Sequence, residues 1–397
     1  MRRYLLAILV FTLLMPLGAS AQWYLFPGGR PAKDSTAVKS AEEKFVPLSD
    51  GSEQEAAKDP FAEDLFAEEI APLRVTLILP FKSTSTPNSN FLDFYSGVLM
   101  AADALSKDGK PMELSVFDST VGMPGIAELE NSDLIIGPVN YEDVERILPR
   151  AHGKFIISPL DPKVAQLTDA HNVIQAPSGW ESQVDELVEW LGADKRGGDL
   201  VVLLKNTGEG DGPMSSRMAQ KLGEAGIPYE VSSTPSAYEG RVSGTCRFLL
   251  ASESDEFCIS AVREIALMNL RGTHNAVYTT SRIRSLNELE VESIHAAHAH
   301  VTAAYYADPG DRDVRLFAQR YKDKFKGDPG QWVYQGYDLM NYFGTILEQN
   351  QGFSLEAVSA TQGKGLQTDF SFDKTGKTNT AVRRLLYNTN NSISVVR

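Results

Sequence analysis

Cysteine is almost absent from this chain, and basic residues are outnumbered by acidic ones. Two cysteines in 397 residues exclude a disulfide-rich scaffold and a four-thiolate zinc site. Lysine and arginine total 38 against 52 acidic residues, a formal net charge of −14. Nucleic acid and anionic lipid both require clustered basic surface, so this balance argues against either as a partner. With 42% hydrophobic residues, the chain can still bury a sizeable core.

Long apolar runs are also missing, apart from one short run near the start. Two arginines precede the apolar residues 4–14, and small residues follow at 19–21. This order is typical of a secretory signal peptide, whereas a membrane span needs about 20 apolar residues. We expect a signal peptide over residues 1–21, cut before Gln22, and a periplasmic mature chain that does not insert into the membrane. No cysteine lies near the cleavage site, so we expect no lipobox.

Residues 22–72 differ in composition from the rest of the chain. They hold eleven acidic and five basic residues, and glycine and proline interrupt them. Excess charge and low apolar density leave little core to offset chain entropy. We therefore predict a disordered acidic linker over this range.

From residue 73 onward, strand-like and helix-like patterns alternate. Residues 75–79 form a continuous β-rich apolar run, as in a strand covered on both faces. Residues 91–105 repeat apolar side chains at the helical period. Further strand-like runs lie at residues 112–117, 133–136, 155–157 and 172–175. A second strand–helix series of similar size begins near residue 179, and such alternation predicts parallel sheets flanked by helices.

Several motifs occur in a distinctive order along this series. They are Val75–Pro80, Phe94–Ala102, Val116–Asp118, Asp133–Pro138, Phe155–Pro159, the spaced aromatics Phe317, Tyr321 and Phe325, and Tyr334–Met340. Together they resemble the type I periplasmic binding proteins, the branched-chain amino-acid receptor branch of the transporter substrate-binding superfamily. The resemblance covers residues 73–397.

The resemblance implies an α/β fold with two doubly wound, Rossmann-like lobes. Three crossovers would join the lobes, and a ligand cleft would lie between them. Lobe 1 would take residues 73–175 plus 303–351, and lobe 2 would take residues 176–302 plus 352–397.

The tail carries a second, narrower resemblance. Residues 365–372, Asn379 and residues 385–387 are similar to the end of a bacterial subgroup of this fold that is often fused to LysM peptidoglycan-binding repeats. They are also similar to the activators of penicillin-binding proteins, in which a type I lobe pair serves as a protein-binding module. We find no LysM repeat in this chain.

The loops that follow the strands supply the candidate ligand-binding residues. In open α/β sheets, ligands bind outside the carboxyl ends of the strands, so these loops should line the interlobe cleft. The predicted residues are Ser83, Thr84, Asp118, Asn140, Ser158 and Asp161 on the first rim, and Asn206, Glu209, Thr280 and Arg282 on the opposite rim. With acids on both rims and one arginine, the cleft should suit a neutral or cationic solute.

The amino-acid site that the resemblance implies is not preserved. After the fourth strand, Pro162 stands where the family has the hydroxyl that holds the substrate carboxylate. The adjacent Asp161 would repel that carboxylate. In the second lobe, the loop at residues 206–212 lacks the family's tyrosine. We therefore expect the fold to carry over and the amino-acid specificity to be lost.

A histidine-rich stretch invites a metal-binding interpretation. Residues 295–302 read as a strand, on which His298 and His300 would share a face and His295 would point away. A zinc site needs three or four convergent ligands, so we expect polar residues at a strand end and no metal.

Motifs of catalysis and of phosphate binding are missing. The glycines at 208, 210 and 212 alternate with Glu209 and Asp211, which oppose a phosphate. No nucleophile elbow, zinc-protease motif or Walker loop occurs. We expect a protein that is not an enzyme and has no cofactor.

Two hypotheses about function follow. In the first, the chain is a monomeric solute-binding protein of an ABC-type transporter or sensor system, with a small polar solute in the interlobe cleft and a membrane transporter as partner. In the alternative, it is a ligand-free, degenerate lobe pair that acts as a protein- or peptidoglycan-associated regulatory module, for example on a cell-wall synthesis protein. A receptor needs an enclosed polar pocket, whereas a module would have a filled cleft and exposed apolar residues.

Overall fold

The computed structural model describes residues 21–24, 71–109, 111–208, 212–241, 243–350 and 352–396. Most of the predicted signal peptide and linker therefore lies outside the described residues. Within the described ranges, no helix is both long enough and apolar enough to cross a bilayer.

Strands and helices alternate as the sequence pattern predicts. The described strands are β1 Ala21–Tyr24, β2 Leu73–Leu79, β3 Met112–Asp118, β4 Leu134–Ile136, β5 Ile156–Ser158, β6 Val173–Gln175, β7 Leu200–Leu204, β8 Glu230–Ser232, β9 Cys246–Leu250, β10 Asn275–Thr280, β11 His300–Ala303, β12 Gly363–Lys364, β13 Asp369–Phe370, β14 Arg383–Tyr387 and β15 Ile393–Val396. The described α-helices are α1 Ser89–Asp108, α2 Ile126–Glu130, α3 Tyr141–Ile147, α4 Ala165–Thr168, α5 Trp180–Asp194, α6 Pro213–Glu224, α7 Asp255–Leu270, α8 Val291–Ala296, α9 Arg312–Phe325, α10 Gln331–Gln349 and α11 Leu355–Ala360. Short 3-10 helices lie at Pro162–Val164, Pro235–Tyr238 and Ser281–Ser285.

Two sheets form the cores of the two lobes and confirm the predicted α/β class. The first sheet has the order β1-β3-β2-β4-β5-β6, in which every pair is parallel except the edge pair of β1 with β3. The second has the order β15-β14-β11-β10-β9-β7-β8, with β14 and β15 antiparallel at one edge. Residues 22–24 of the predicted linker thus belong to an edge strand of the first sheet.

Helices α1 and α10 cover one face of the first sheet and cross very closely. A Cβ atom on Gly97 would lie 2.0 Å from the Val333 carbonyl oxygen, and one on Gly336 would lie 2.0 Å from the Phe94 carbonyl oxygen. Only glycine permits this approach at both contact points. The close crossing buries Phe94 and Phe343 completely in the core of lobe 1.

Three segments connect the lobes: residues 176–179, 304–311 and 371–382. The buried Asn379 amide joins the first and third segments, because its Nδ2 donates to the Ala176 carbonyl at 2.8 Å. The buried Arg383, which directly follows the third segment, contacts the second, because it donates to the Tyr306 carbonyl at 2.5 Å. It also donates to the Asp369 carboxylate through two nitrogens. The crossovers are therefore held to one another by side chains with little exposure to water.

The tail divides between the lobes differently from the predicted boundaries. Phe370 and Phe372 lie in the core of lobe 1, and Thr378 forms a parallel bridge with Gln175 at the edge of β6. Only β14 and β15 join the second sheet. Residues 352–381 therefore pack with lobe 1, because their aromatic side chains are buried against Tyr342 and Phe343.

The single strand predicted at residues 295–302 is wrong. His295 lies in α8, and β11 begins only at His300. His298 adopts a φ of 49°, a left-handed conformation that turns the chain between the two elements. His295 Nδ1 is 2.7 Å from the Asn388 carbonyl, and His300 stacks on Tyr278. In the described parts of the chain, no three His, Cys, Asp or Glu residues are placed to hold a metal ion.

Candidate functional site

Asp118 lies at the carboxyl end of β3, as the strand pattern predicts. Both oxygens of its carboxylate accept hydrogen bonds from the surrounding loops. Its Oδ2 accepts hydrogen bonds from the Ser83 N–H and hydroxyl at 2.7 and 2.6 Å. Its Oδ1 accepts from the Phe81 N–H and from the N–H and hydroxyl of Thr120 at 3.1, 3.0 and 2.7 Å. A carboxylate offers about four lone-pair sites, so five donors leave no capacity for a ligand.

The charge state of Asp118 reflects these bonds. Burial alone would raise its pKa, but the hydrogen bonds from Ser83 and Thr120 outweigh burial and hold the pKa below its ordinary value. Asp118 is thus an ionised group that organises the loops after β2 and β3. The neighbouring Thr84 is exposed in the same loop.

Asp161 accepts hydrogen bonds from the loops after β4 and β5 in a similar way. Its Oδ2 accepts from the Tyr141 N–H at 2.9 Å, at the start of α3. Its Oδ1 accepts from the Lys163 N–H at 3.0 Å and caps the 3-10 helix that follows. Asn140 stands at the N-cap position of α3, but its side chain makes no capping bond. Asp161 therefore links two strand-end loops within lobe 1.

Ser158 and Gln175 form a pair of buried polar groups at the ends of β5 and β6. The two residues are register partners, and they are 0% and 2% exposed. The Ser158 Oγ and the Gln175 Oε1 have no hydrogen-bond partner among the described residues. Two further buried hydroxyls without partners, those of Ser119 and Ser178, follow the ends of β3 and β6. Most buried polar atoms are hydrogen-bonded, so these four atoms at the carboxyl ends of the strands require an explanation.

The predicted residues of lobe 2 also make their contacts within that lobe. Arg282 forms an ion pair with Asp255, with 2.5 Å between Nη2 and Oδ1. Thr280 is only 6% exposed at the end of β10, and Asn206 Oδ1 accepts from the Gly208 N–H at 3.2 Å. Glu209 lies outside the described residues. The cavity beside Thr280 and Arg282 has a volume of about 10 Å³, which is no larger than a water site.

The structure therefore gathers the predicted residues into small sets rather than one site. Ser83 joins Asp118, Asp161 joins the loop of Asn140, and Arg282 joins Asp255. Among the hydrogen bonds of the described residues, none links a predicted residue of lobe 1 to a predicted residue of lobe 2.

A buried polar network between α10 and residues 366–368 was not predicted from the sequence. Gln335 Oε1 accepts from Gln367 Nε2 and from the Thr368 hydroxyl at 2.9 and 3.1 Å. Asp338 accepts from the N–H groups of Leu366, Gln367 and Thr368 at 2.6, 2.8 and 2.9 Å. The available signal was the presence of polar residues on the buried face of an otherwise apolar helix.

Burial has a large effect on Asp338. It raises the pKa of this carboxyl to about 6, against the opposing effect of its three backbone hydrogen bonds. The network thus contains an acid whose charge depends on pH in a physiological range.

Comparison with solved structures places this architecture among known folds. A putative branched-chain amino acid ABC transporter from Rhodospirillum rubrum is 13% identical, with a TM-score of 0.60 over 82% of this chain and 100% of that chain. An ABC transporter substrate-binding protein from Desulfitobacterium hafniense, in complex with Leu, is 13% identical, with a TM-score of 0.50 over 82% and 100% of the two chains.

A regulator shares the fold to a similar degree. The C-domain of LpoA from Haemophilus influenzae, a regulator of PBP1A, is 13% identical, with a TM-score of 0.50 over 82% of this chain and 100% of that chain. No protein-family profile and no curated protein sequence matches the chain. At these identities the likeness concerns the fold: the chain has the two-lobe architecture of the type I periplasmic binding proteins, shared by transporter receptors and by LpoA.

Proposed function

We propose that this chain is exported and uses the two-lobe fold as a protein-docking module of the cell envelope, not as a receptor for a free amino acid. One observation carries the proposal. The charged groups expected to bind a ligand, Asp118, Asp161 and Arg282, are occupied by contacts within their own lobes.

These contacts do not depend on the distance between the lobes. A free amino acid is held by charge-assisted hydrogen bonds at its carboxylate and its ammonium group. Closing the cleft would bring the lobes together, but it would not release Asp118 from its five donors or Arg282 from Asp255. These charged groups are therefore unavailable in open and closed arrangements alike.

The loop after β3 offers a surface for a protein partner. Val121 and Ile126 are 51% and 50% exposed, and both follow the carboxyl end of β3. In this proposal the two aliphatic side chains contribute to one apolar contact with the partner. The similarity to the LpoA C-domain supports a cell-wall synthesis protein as the partner.

Ser158 and Gln175 favour a second candidate function, the binding of a neutral polar solute. Their side-chain oxygens are buried at one sheet edge without partners in the described residues. Hydroxyl and amide groups are themselves uncharged, so they suit an uncharged ligand such as a sugar. In this case the chain would be the solute-binding component of a transporter or sensor system.

A thermal-shift panel separates these functions from an amino-acid receptor. A ligand present at 100 times its dissociation constant should add about 2.7 kcal/mol to the free energy of unfolding. We expect no stabilisation by leucine, isoleucine, glutamate or lysine, because Asp118, Asp161 and Arg282 are already bound within their own lobes.

The variants Arg282→Ala and Ser158→Ala complete the panel. Stabilisation by an amino acid that Arg282→Ala abolishes would contradict the proposal. Stabilisation by a neutral sugar that Ser158→Ala abolishes would transfer the assignment to the second candidate.

A further inference from the structure

Helix α9 of lobe 1 carries more positive charge than any other helix that the structure describes. It contains five basic and two acidic residues, in a chain with a formal net charge of −14. Val314, Phe317 and Tyr321 bury one face of the helix in an apolar cluster of lobe 1, so the opposite face points to solvent. This outer face is a basic surface on an acidic protein.

Two arginines on the outer face of α9 have no counter-ion. Arg312 and Arg320 are exposed, and neither forms a hydrogen bond or an ion pair within the described residues. Leu316 lies between them at the helical spacing of four residues and is 44% exposed. The acid on the same face, Asp323, accepts a hydrogen bond from Gln319 Nε2 at 2.9 Å. The face therefore presents two unpaired cations on either side of an apolar side chain.

The carboxyl end of α9 lies at the end of lobe 1 where β2 begins. Lys324 Nζ is 3.2 Å from Asp103 Oδ2, in the last two turns of α1. Three residues further along α1, Ser106 Oγ accepts from the Met112 N–H at 3.2 Å, and Met112 is the register partner of Leu73. The chain that enters β2 therefore arrives beside the carboxyl end of α9.

The segment that precedes β2 has the opposite charge. Residues 59–69, which lie outside the described residues, contain five acidic residues, two phenylalanines, a leucine and no basic residue. Glu69 is four residues before Leu73, so it lies at most about 14 Å from the start of β2. Eleven extended residues span up to about 36 Å, whereas α9 is about 21 Å long. The segment is therefore long enough to follow the outer face from its carboxyl end.

We propose that residues 59–69 dock on the outer face of α9 in the same molecule, with carboxylates paired to Arg312 and Arg320 and an apolar side chain against Leu316. The short connection to β2 keeps the segment at an effective concentration in the millimolar range, so weak contacts are sufficient. A second copy of α9 is a poor occupant, because it would bring like charges together. The inference does not depend on the docking function, since α9 shares no residue with the loop of Val121 and Ile126.

Photo-crosslinking within the full mature chain tests this contact. The photoreactive residue p-benzoylphenylalanine replaces Ala67, and crosslinked tryptic peptides are identified by mass spectrometry. We expect the crosslinks to fall mainly on residues 312–326 of the same molecule. Because salt screens exposed charges, their yield should decrease when sodium chloride is raised from about 0.05 M to about 0.5 M.

The double variant Arg312→Glu/Arg320→Glu removes both unpaired cations from α9. We expect it to lower the yield of crosslinks to α9 by about threefold or more, because two exposed ion pairs are lost. Lys82→Glu/Lys374→Glu makes the same change of charge at exposed positions elsewhere on lobe 1 and is the matched control. A decrease in the α9 variant alone would support the contact. Crosslinks spread over both lobes, crosslinks only between molecules, or equal yields in the two double variants would overturn it.

Discussion

Replacing Arg383 with alanine is expected to lower the free energy of unfolding by about 3–5 kcal/mol. The guanidinium is almost completely buried, at 6% exposure, and forms a two-nitrogen contact with Asp369. It also donates to the carbonyls of Tyr306, Leu366 and Gly365. Alanine would leave these acceptors unpaired and would remove the side-chain link between the start of β14 and the second crossover.

Arg74→Ala is the matched control for this variant. Arg74 lies in β2 of lobe 1, 3.7 Å from Asp133, but 49% of its side chain is exposed. An exposed ion pair contributes about 0–1 kcal/mol, so the control should stay close to the unaltered protein. Urea denaturation followed by circular dichroism measures both variants. Equal losses for Arg383→Ala and Arg74→Ala would show that the crossovers do not depend on Arg383.

Replacing Asp338 should also have a large effect, and this effect should depend on pH. Asp338→Ala would leave three buried N–H groups without an acceptor, at about 1–3 kcal/mol each. In the folded protein the pKa of Asp338 is raised from 3.8 to about 6. The folded state therefore binds a proton more readily than the unfolded chain does. The contribution of Asp338 to stability is fully present below pH 4 and decreases as the pH rises to about 6.

Asp338→Asn isolates this pH dependence, because asparagine does not titrate. A pKa difference of this size corresponds to about 2 kcal/mol between pH 4 and pH 7, because the unfolded carboxyl is already more than half ionised at pH 4. We expect the stability of the unaltered protein, relative to that of Asp338→Asn, to fall by this amount across the interval. Urea denaturation at several pH values provides the comparison. Parallel stability curves for the two proteins would contradict the assignment of the raised pKa to Asp338.

The sequence predicts much of the fold because the spacing of apolar residues indicates which side chains are buried in a strand or a helix. The apolar run at residues 75–79 becomes β2, and the helical spacing at 91–105 becomes part of α1. The strand predicted at 295–302 fails because it rests on residue types alone, and a left-handed residue at His298 divides it. The tail divides unexpectedly because the pattern at residues 369–372 shows that side chains are buried, but not which lobe buries them.

The candidate site shows a different limit of sequence reasoning. The positions of Asp118 and Ser158 at strand ends follow from the strand pattern. Their roles do not follow from the strand pattern, because a carboxylate after a strand can bind either a ligand or the backbone of its own loop. For Asp118, the hydroxyl residue two positions later was a signal of an Asx-type turn. The contribution of Ser83, 35 residues away, depends on the tertiary fold.

Direct binding to a cell-wall synthesis protein tests the docking proposal most directly. Purified penicillin-binding proteins of the encoding organism would be immobilised and titrated with the mature chain, with Val121→Asp and Ile126→Asp as variants. Charge at the centre of an apolar contact typically costs 2 kcal/mol or more, or about thirtyfold in affinity. Ser236→Asp, on the other lobe, is the control and should bind as the unaltered chain does. Saturable binding that both loop variants weaken at least tenfold is the predicted result, whereas no binding, or equal binding by all four proteins, would contradict the proposal.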